Sequence, residues 1–202
     1  MRIPNAVHES RGWVLSRIAA DFDLLDVWAL PVEGERDELV AFLEQMAGLD
    51  PLQSGALPSR VLFWVRLQIG QLLGWDDGDR RPIPGCTEVT LLDRLPADLD
   101  VSAELPAIGS RLSEVAGGFR PLFRTDDEWA AEISNATVHG VMQLTWVERD
   151  NGRYGANLAV YVKPRGLLGS AYMRLIDPFR QLIVYPSLLR HVGKSWESRF
   201  RG

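Results

Sequence analysis

The chain is poor in the residues that build disulfides and metal sites. Cys86 is its single cysteine among 202 residues, and its three histidines, His8, His139 and His191, lie far apart in the sequence. A lone thiol cannot close an internal disulfide, and no two histidines have the spacing of metal ligands. We therefore expect a protein of a reducing compartment, the cytoplasm, that uses no metal or other cofactor.

Long apolar runs are missing too. No window comes near the roughly eighteen uncharged apolar residues of a membrane-spanning helix, and the start of the chain lacks the apolar stretch of a secretory signal. Lys and Arg number 22 against 27 Asp and Glu, for a net charge of −5. A mildly acidic protein has no general attraction for nucleic acid. The sequence thus predicts no membrane span and no nucleic-acid partner, and it leaves a homodimer open.

Motifs of the common enzyme classes are also absent. The chain has no G-x-G-x-x-G loop, no Walker phosphate loop, no G-x-S-x-G nucleophile and no H-E-x-x-H zinc motif. Catalysis would have to depend on isolated side chains, for which His139 and Asp127 are the candidates. Asp127 lies in an acidic run at 126–128 that could supply paired carboxylates, although acids at a strand entry are usually a solvated turn.

The chain does have enough apolar residues for one sizeable core, since 46% of it is hydrophobic and 24% charged. We expect a single domain over residues 1–202. Prolines and a glycine pair interrupt the pattern at 76–118, which predicts an irregular insertion or cover with a short strand or helical turn at 87–95. Earlier residues predict β-like runs at 13–18 and 22–32 and helices at 33–48 and 58–75.

A β-hairpin is predicted next. Residues 128–133 and 136–147 alternate apolar and polar side chains, as strands with one buried face do. A two-residue turn at Ser134-Asn135 would bring their apolar faces to the same side of the sheet. The resulting register pairs Ile133 with Ala136, Ala131 with Val138 and Trp129 with Gly140.

A second hairpin joins this strand to residues 154–163. We predict a three-residue loop, 150–152, with Gly152 in a left-handed conformation, because a two-residue turn would put the apolar faces on opposite sides. This register pairs Trp146 with Ala156, Leu144 with Leu158 and Met142 with Val160. We expect the other, polar face to meet solvent, although His139 could act as a general base if a loop covers it. That face carries His139, Gln143, Thr145, Asn157, Tyr161 and Lys163.

The last quarter of the chain, 166–198, has the pattern of one long, broken amphipathic helix. Its apolar residues recur at steps of three, four or seven and so share one face. Asp177 and Pro178 predict a break, and Pro186 predicts a kink. A helix that covers the apolar face of an antiparallel sheet indicates an α+β fold of helix-grip architecture.

Three segments resemble a bacterial domain family of unknown function: DVWALP at 26–31, DEWAAEISNATVHGVMQLTWV at 127–147 and NLAVYVKPRGLLGSAYMRLIDPFRQLIVYPSLLR at 157–190. Members of this family occur alone in actinobacteria or attached to epimerase-like, NAD-binding domains. The family is similar to the START, polyketide-cyclase and birch-allergen-type (SRPBCC) superfamily, whose helix-grip fold surrounds a hydrophobic cavity. The resemblance implies a lipid-, polyketide- or isoprenoid-like ligand, sometimes with cyclase activity, and it supplies no catalytic residues.

Two functions of different classes remain open. The first is a binding module or cyclase-type enzyme that holds an apolar small molecule between the sheet and the C-terminal helix. The alternative is a structural or protein-interaction domain whose core is filled by its own side chains. A third and weaker hypothesis is a hydrolase or isomerase that uses His139 with an acid of 126–128. The predicted pocket residues are Trp129, Met142, Leu144, Trp146, Tyr154, Leu158, Tyr172 and Phe179.

Overall fold

The computed structural model describes residues 1–48, 82–99, 119–134, 138–166, 178, 181–182 and 185–199. In these residues, six antiparallel strands form one sheet in the order β1-β2-β6-β5-β4-β3. The fold is therefore α+β, as predicted. The strands are β1 (Arg2–Ile3), β2 (Asp23–Ala29), β3 (Arg120–Arg124), β4 (Glu128–Ser134), β5 (Val138–Glu148) and β6 (Tyr154–Pro164). The helices are α1 (Asn5–Glu9), α2 (Val14–Ile18), α3 (Leu39–Gly48), a 3₁₀ helix (Leu91–Arg94) and α4 (Tyr185–Ser198).

The β5–β6 hairpin has the predicted register. Trp146 lies opposite Ala156, Leu144 opposite Leu158 and Met142 opposite Val160. Gly152 has φ +75°, in the left-handed region, and its N–H donates to the carbonyl of Arg149 at 2.9 Å. The three-residue loop is thus confirmed, because only a glycine takes this conformation without strain.

The predicted register of the β4–β5 hairpin is wrong by four residues. Ile133 lies opposite Gly140 rather than Ala136, and Ser134 lies opposite His139. The two-residue turn therefore does not form, and residues 135–137 of the connection lie outside the described residues. Because the error is an even number of residues, the side chains still lie on the predicted faces.

The apolar face of the sheet packs against α3 and α4. The Trp146 ring lies 5.7 Å from the Phe42 ring of α3 and 6.2 Å from the Trp196 ring of α4, measured between centroids. The C-terminal helix thus covers part of the predicted surface. The buried residues of this core include Leu39, Phe42, Leu43, Trp129, Leu144, Trp146, Ala156, Leu158, Val192 and Trp196.

The polar face is buried rather than exposed to solvent, which corrects the prediction. His139 and Gln143 are fully inaccessible, and Tyr161 is 3% exposed. Residues of α2 and of the segment 82–99 cover this face, so its polar groups bond to one another instead of to water. The apolar residues packed there include Leu15, Ile18, Phe22, Val27, Ile83, Leu91 and Val141.

The structure corrects or refines the predictions for four other segments. The β-like run at 13–18 is helix α2 instead, with Leu15 and Ile18 buried three residues apart on one helical face. The run at 22–32 contains strand β2, and the helix at 33–48 begins only at Leu39. Of the two structures predicted for 87–95, a short strand or a helical turn, the segment contains the helical turn, which is the 3₁₀ helix Leu91–Arg94.

In the C-terminal region, α4 begins at Tyr185, which places Pro186 in its first turn. A missing N–H costs little there, so the described helix has no reason to kink at Pro186. The predicted helix at 58–75, most of 76–118 and the break at Asp177 lie outside the described residues. Within the part that is described, no helix combines the length and apolar character needed to span a bilayer.

Candidate functional site

A carboxylate lies on the otherwise apolar face of the sheet. Asp26 of β2 is fully buried and lies opposite Val160 of β6. Val160 in turn lies opposite Met142 of β5, so the three residues form one row across the sheet. The register of β2 shifts between Leu24 and Asp26, as at a β-bulge, and bulges often re-aim a side chain.

The start of α4 is bound to this carboxylate. The Tyr185 hydroxyl lies 3.2 Å from Oδ2 of Asp26 and donates to it. A guanidinium nitrogen of Arg2 lies 3.4 Å from Oδ1, and the Arg2 side chain is half exposed. The Tyr185 ring stacks on Trp28, with 4.9 Å between centroids. A buried carboxylate costs free energy unless donors and cations compensate it, and these contacts do so.

The apolar face is covered unevenly. Phe42, Trp146 and Trp196 are buried against one another, whereas Trp28, Met142 and Val160, beside Asp26, are only partly buried. Ala131 and Gly140 on the neighbouring strands add little bulk. We call Asp26 and its surroundings the Asp26 cluster, and it comprises Asp26, Trp28, Met142, Val160 and Tyr185.

The predicted pocket residues largely share this face. Six of the eight belong to the apolar core or pack against it, some fully buried and some partly. The other two, Tyr172 and Phe179, lie outside the described residues. The six are Trp129, Met142, Leu144, Trp146, Tyr154 and Leu158.

The two catalytic candidates do not meet. His139 lies opposite Ser134 at one end of the β4–β5 ladder. Asp127 precedes the other end, where its carbonyl accepts from the N–H of Trp146 at 2.8 Å. Seven residues of strand separate the two positions, or roughly 23 Å. Asp127 is exposed and accepts from the Thr125 hydroxyl at 3.0 Å, so it forms a turn and not an acid–base pair with His139.

His139 bonds instead to a buried glutamate. Its Nε2 lies 2.9 Å from Oε2 of Glu132, which also accepts from the N–H of Leu91 at 3.0 Å and from the Thr90 hydroxyl. Burial raises the pKa of Glu132, but these hydrogen bonds, led by that of His139, bring the pKa below its ordinary value. Glu132 therefore caps the 3₁₀ helix from a neighbouring strand.

A second buried glutamate lies four residues earlier on β4. Glu128 accepts from the N–H groups of Val14 and Leu15, both at 2.9 Å, and from Nε2 of Gln143 at 2.7 Å. Nε2 of His8 lies 2.9 Å from Oε1 of Gln143. Because the amide nitrogen of Gln143 faces Glu128, its oxygen faces His8, and Nε2 of His8 must carry the proton. We call Glu128, Gln143 and His8 the Glu128 network.

Burial dominates the ionisation of this network. It raises the pKa of Glu128 despite the three hydrogen bonds that the carboxylate accepts. It also lowers the pKa of His8, because a charged imidazole would lose its hydration. The network thus holds α2 on the sheet, and its arrangement is that of a helix cap rather than of a catalytic site.

A surface depression of about 410 Å³ near Asp21 and Arg94 is another candidate. Arg94 donates to Asp21 at 2.6 Å, and Lys163 does so at 2.7 Å. The bond from Arg94 holds the pKa of Asp21 well below its ordinary range. Arg94 also lies 2.8 Å from the Cys86 sulfur. The charges of Asp21, Arg94 and Lys163 therefore satisfy one another.

Residues 18–187 match the family described as protein of unknown function (DUF2867). The chain belongs to the DUF2867 family. Comparison with the curated proteins and with the solved structures finds no match. The predicted resemblance to a domain family of unknown function is thereby confirmed.

The segment that matches DUF2867 runs from the end of α2 into the first turn of α4. It therefore contains Asp26 and Tyr185, as well as the two buried glutamates of β4. Arg2 and His8 lie outside it. The contact between Asp26 and Tyr185 is thus formed entirely within the family's segment.

Sequence analysis missed Asp26 and Glu132. An isolated aspartate in a strand gives no signal by itself, and the Tyr185 hydroxyl that binds it lies 159 residues away. Glu132 had a usable signal, because its parity places it on the same face as His139. That signal becomes specific only with the true register, which brings Glu132 diagonally next to His139.

Proposed function

We propose that this protein binds an apolar small molecule against the apolar face of its sheet, beside the start of α4. The observation that carries the proposal is the Asp26 cluster, a buried carboxylate and a tyrosine hydroxyl among partly buried apolar side chains. Ligand pockets typically combine apolar walls with a few convergent polar groups that fix orientation. The ligand class is lipid-, polyketide- or isoprenoid-like.

The connectivity supports a helix-grip arrangement around such a ligand. Strand β2 pairs with β6, the last strand, and β3 to β6 follow one another as an antiparallel meander. Helix α3 follows β2, and α4 comes after β6. This order agrees with the START-like and polyketide-cyclase resemblance, in which the C-terminal helix closes a cavity over the sheet. Cyclase-type chemistry would use Asp26 and Tyr185 as its acid–base groups.

The contrast between the two halves of the apolar face strengthens the case. A protein that needed only a core could place an apolar side chain where Asp26 lies, as it does around Trp146. A buried ion pair can often be replaced by apolar residues without loss of stability. The presence of a carboxylate on this face is therefore expected if Asp26 recognises a hydroxyl or amine of the ligand.

The test is native mass spectrometry of freshly purified protein, followed by thermal shifts against lipid and polyketide libraries. We expect wild type to carry a ligand or to be stabilised by members of one library. Asp26→Asn should weaken the affinity for that ligand about tenfold, since a charge-assisted hydrogen bond is lost. Asp23→Asn, at an exposed site of the same strand, is the matched control and should bind as wild type does.

Bare protein without any thermal shift would contradict this function. Equal binding by Asp26→Asn and Asp23→Asn would instead remove Asp26 from the site.

A structural or protein-interaction domain with a filled core is the second candidate. It is favoured by the packing of Phe42, Trp146 and Trp196, which leaves the other half of the apolar face fully occupied. It predicts bare protein in the mass spectrum, no response to either library and a crystal structure without a continuous void at the Asp26 cluster. The same experiments therefore separate the two candidates.

A further inference from the structure

A half-buried guanidinium lies just beyond β5 without a carboxylate partner. Arg149 donates through Nη2 to the carbonyl of Ala156 at 3.0 Å and to Oδ1 of Asn157 at 2.8 Å. Both acceptors are neutral. Among the described residues, no carboxylate forms an ion pair with Arg149. A partly desolvated charge of this kind costs free energy until a counter-ion neutralises it.

Gly155 is what allows the guanidinium to lie against β6. A Cβ at this position would come within 2.9 Å of Nε of Arg149 and 2.8 Å of the carbonyl of Val32. The glycine and the two acceptors on β6 therefore hold the planar group in one orientation. Since Nη2 makes both hydrogen bonds, the N–H groups of Nη1 remain for a ligand, and they can give a charge-assisted hydrogen bond to an oxygen of a carboxylate or phosphate.

The charges around Arg149 leave the site positive. Burial lowers the pKa of Arg149, and the positive charge of Arg11 lowers it further, while the carboxylate of Glu33 acts in the opposite direction. Arg11 is exposed and forms no ion pair in the described residues. The nearby Arg153 is already paired with Glu35. Among the described residues, Glu33 forms an ion pair with neither Arg149 nor Arg11, so its charge is not used up by either cation.

An unsatisfied hydroxyl lies beside these groups. Thr145 is fully buried, and its Oγ1 has no hydrogen-bond partner within the described part of the chain. Thr145 lies directly opposite Asn157, the residue that orients Arg149. Buried polar atoms are nearly always hydrogen-bonded. The unbonded hydroxyl of Thr145, opposite the residue that orients Arg149, therefore indicates that this part of the polar face lacks a hydrogen-bond partner.

We propose that Arg149, together with Arg11, binds the oxyanion group of a small molecule, either a carboxylate or a phosphate. Arg149 supplies the oriented N–H donors of Nη1, and Arg11 supplies a second positive charge. The site lies on the polar face of the sheet, because Thr145 and Arg149 share the parity of His139. It is therefore separate from the Asp26 cluster and does not depend on the function proposed above.

Isothermal titration calorimetry and thermal denaturation of the full chain test this site. The probes are inorganic phosphate and, separately, acetate, at constant ionic strength with chloride as the reference. We expect saturable binding of at least one probe, with Tm raised by about 3–6 °C at roughly ten times Kd. The tighter probe identifies the ligand as a phosphate or a carboxylate.

Three variants locate the binding. Arg149→Gln should weaken affinity about tenfold, as expected when a charge-assisted hydrogen bond is lost, and Arg11→Gln should weaken it severalfold. Arg153→Gln, which removes an arginine that already has a partner, is the matched control and should bind as wild type does. Circular dichroism confirms that each variant is folded.

Absence of saturable binding of both probes to wild type would overturn the proposal. So would equal affinities of Arg149→Gln and Arg153→Gln. Should Arg149→Gln fail to fold, the wild-type titration and the exposed Arg11→Gln variant decide, because unchanged affinity in the latter removes Arg11 from the site.

Discussion

At the residue scale, the two glutamates of β4 show how environment sets the behaviour of identical side chains. Glu128 and Glu132 are both buried, and each accepts at least one hydrogen bond from a backbone N–H at the start of a helical segment. Their pKa values nevertheless move apart, because burial dominates at Glu128 while the bonds from His139, Leu91 and Thr90 outweigh it at Glu132. Partners as well as burial therefore decide the charge of each residue.

Glu132→Gln should lower the free energy of unfolding by about 2–4 kcal/mol at pH 7. The amide nitrogen of the new glutamine would direct its N–H groups at the donors from which the carboxylate now accepts hydrogen bonds. Urea denaturation measures the change. Glu148→Gln, at an exposed glutamate of the next strand, is the control and should differ from wild type by no more than about 0.5 kcal/mol.

The effect of Glu132→Gln should also depend on pH. A carboxylate whose pKa is lowered by folding stabilises the protein above its unfolded pKa, and this contribution is lost as the pH falls through the folded pKa. The gap between wild type and variant should therefore narrow in acid. A gap that is constant from pH 7 to pH 3 would show that the loss comes from packing alone.

At the scale of elements, alternation of apolar residues predicted which side chains share a face, but it could not choose between registers of equal parity. The β5–β6 register was predictable because its loop contains a glycine suited to a left-handed turn. The β4–β5 loop offered no such signal, and an error of four residues left the pattern intact. Helix α2 has five residues, which is too short to distinguish a helical from a strand period.

Gly152→Ala tests the one turn that the sequence specified. The substitution should lower the free energy of unfolding by roughly 1–2 kcal/mol, because an L residue is strained at φ +75°. Asp150→Ala, at an exposed position of the same loop, should change it by less than about 0.5 kcal/mol. Equal stability of the two variants in urea would show that the loop relaxes to another conformation.

At the scale of the whole molecule, the sheet is buried on both faces, and this could not be predicted. A strand pattern shows that polar residues lie together, but it does not show that distant segments will cover them. Gln143 illustrates the point, since its partner His8 lies 135 residues away. The candidate site was predictable only as an apolar face. The roles proposed for Asp26 and Arg149 rest on contacts that the sequence does not reveal.

His8 should make the stability of the whole protein sensitive to mild acid. Its pKa is lowered by folding, so the unfolded chain takes up a proton near pH 6.5 that the folded chain resists. His8→Gln keeps a donor for Gln143 and removes this titration. Relative to wild type, its free energy of unfolding should therefore rise as the pH falls from 7 to 5, by up to about 1.4 kcal/mol per pH unit.

Comparison with wild type at each pH is needed because Glu128, whose raised pKa stabilises the folded state in acid, acts in the opposite direction. His191→Gln is the matched control and should track wild type. Parallel curves for wild type and His8→Gln would mean that His8 stays accessible to protons in the folded state.

The Glu128 network also constrains when the protein can finish folding. The N–H of Val14 and its acceptor Glu128 are 114 residues apart. At the usual rates of translation, Val14 is added to the chain roughly 6–23 seconds before Glu128. During that interval α2 has no cap and Leu15 has no sheet to cover it. Helix α2 therefore stays undocked from the sheet, and accessible to chaperones, until β4 has been synthesised. It is among the last parts of the chain to reach its final position.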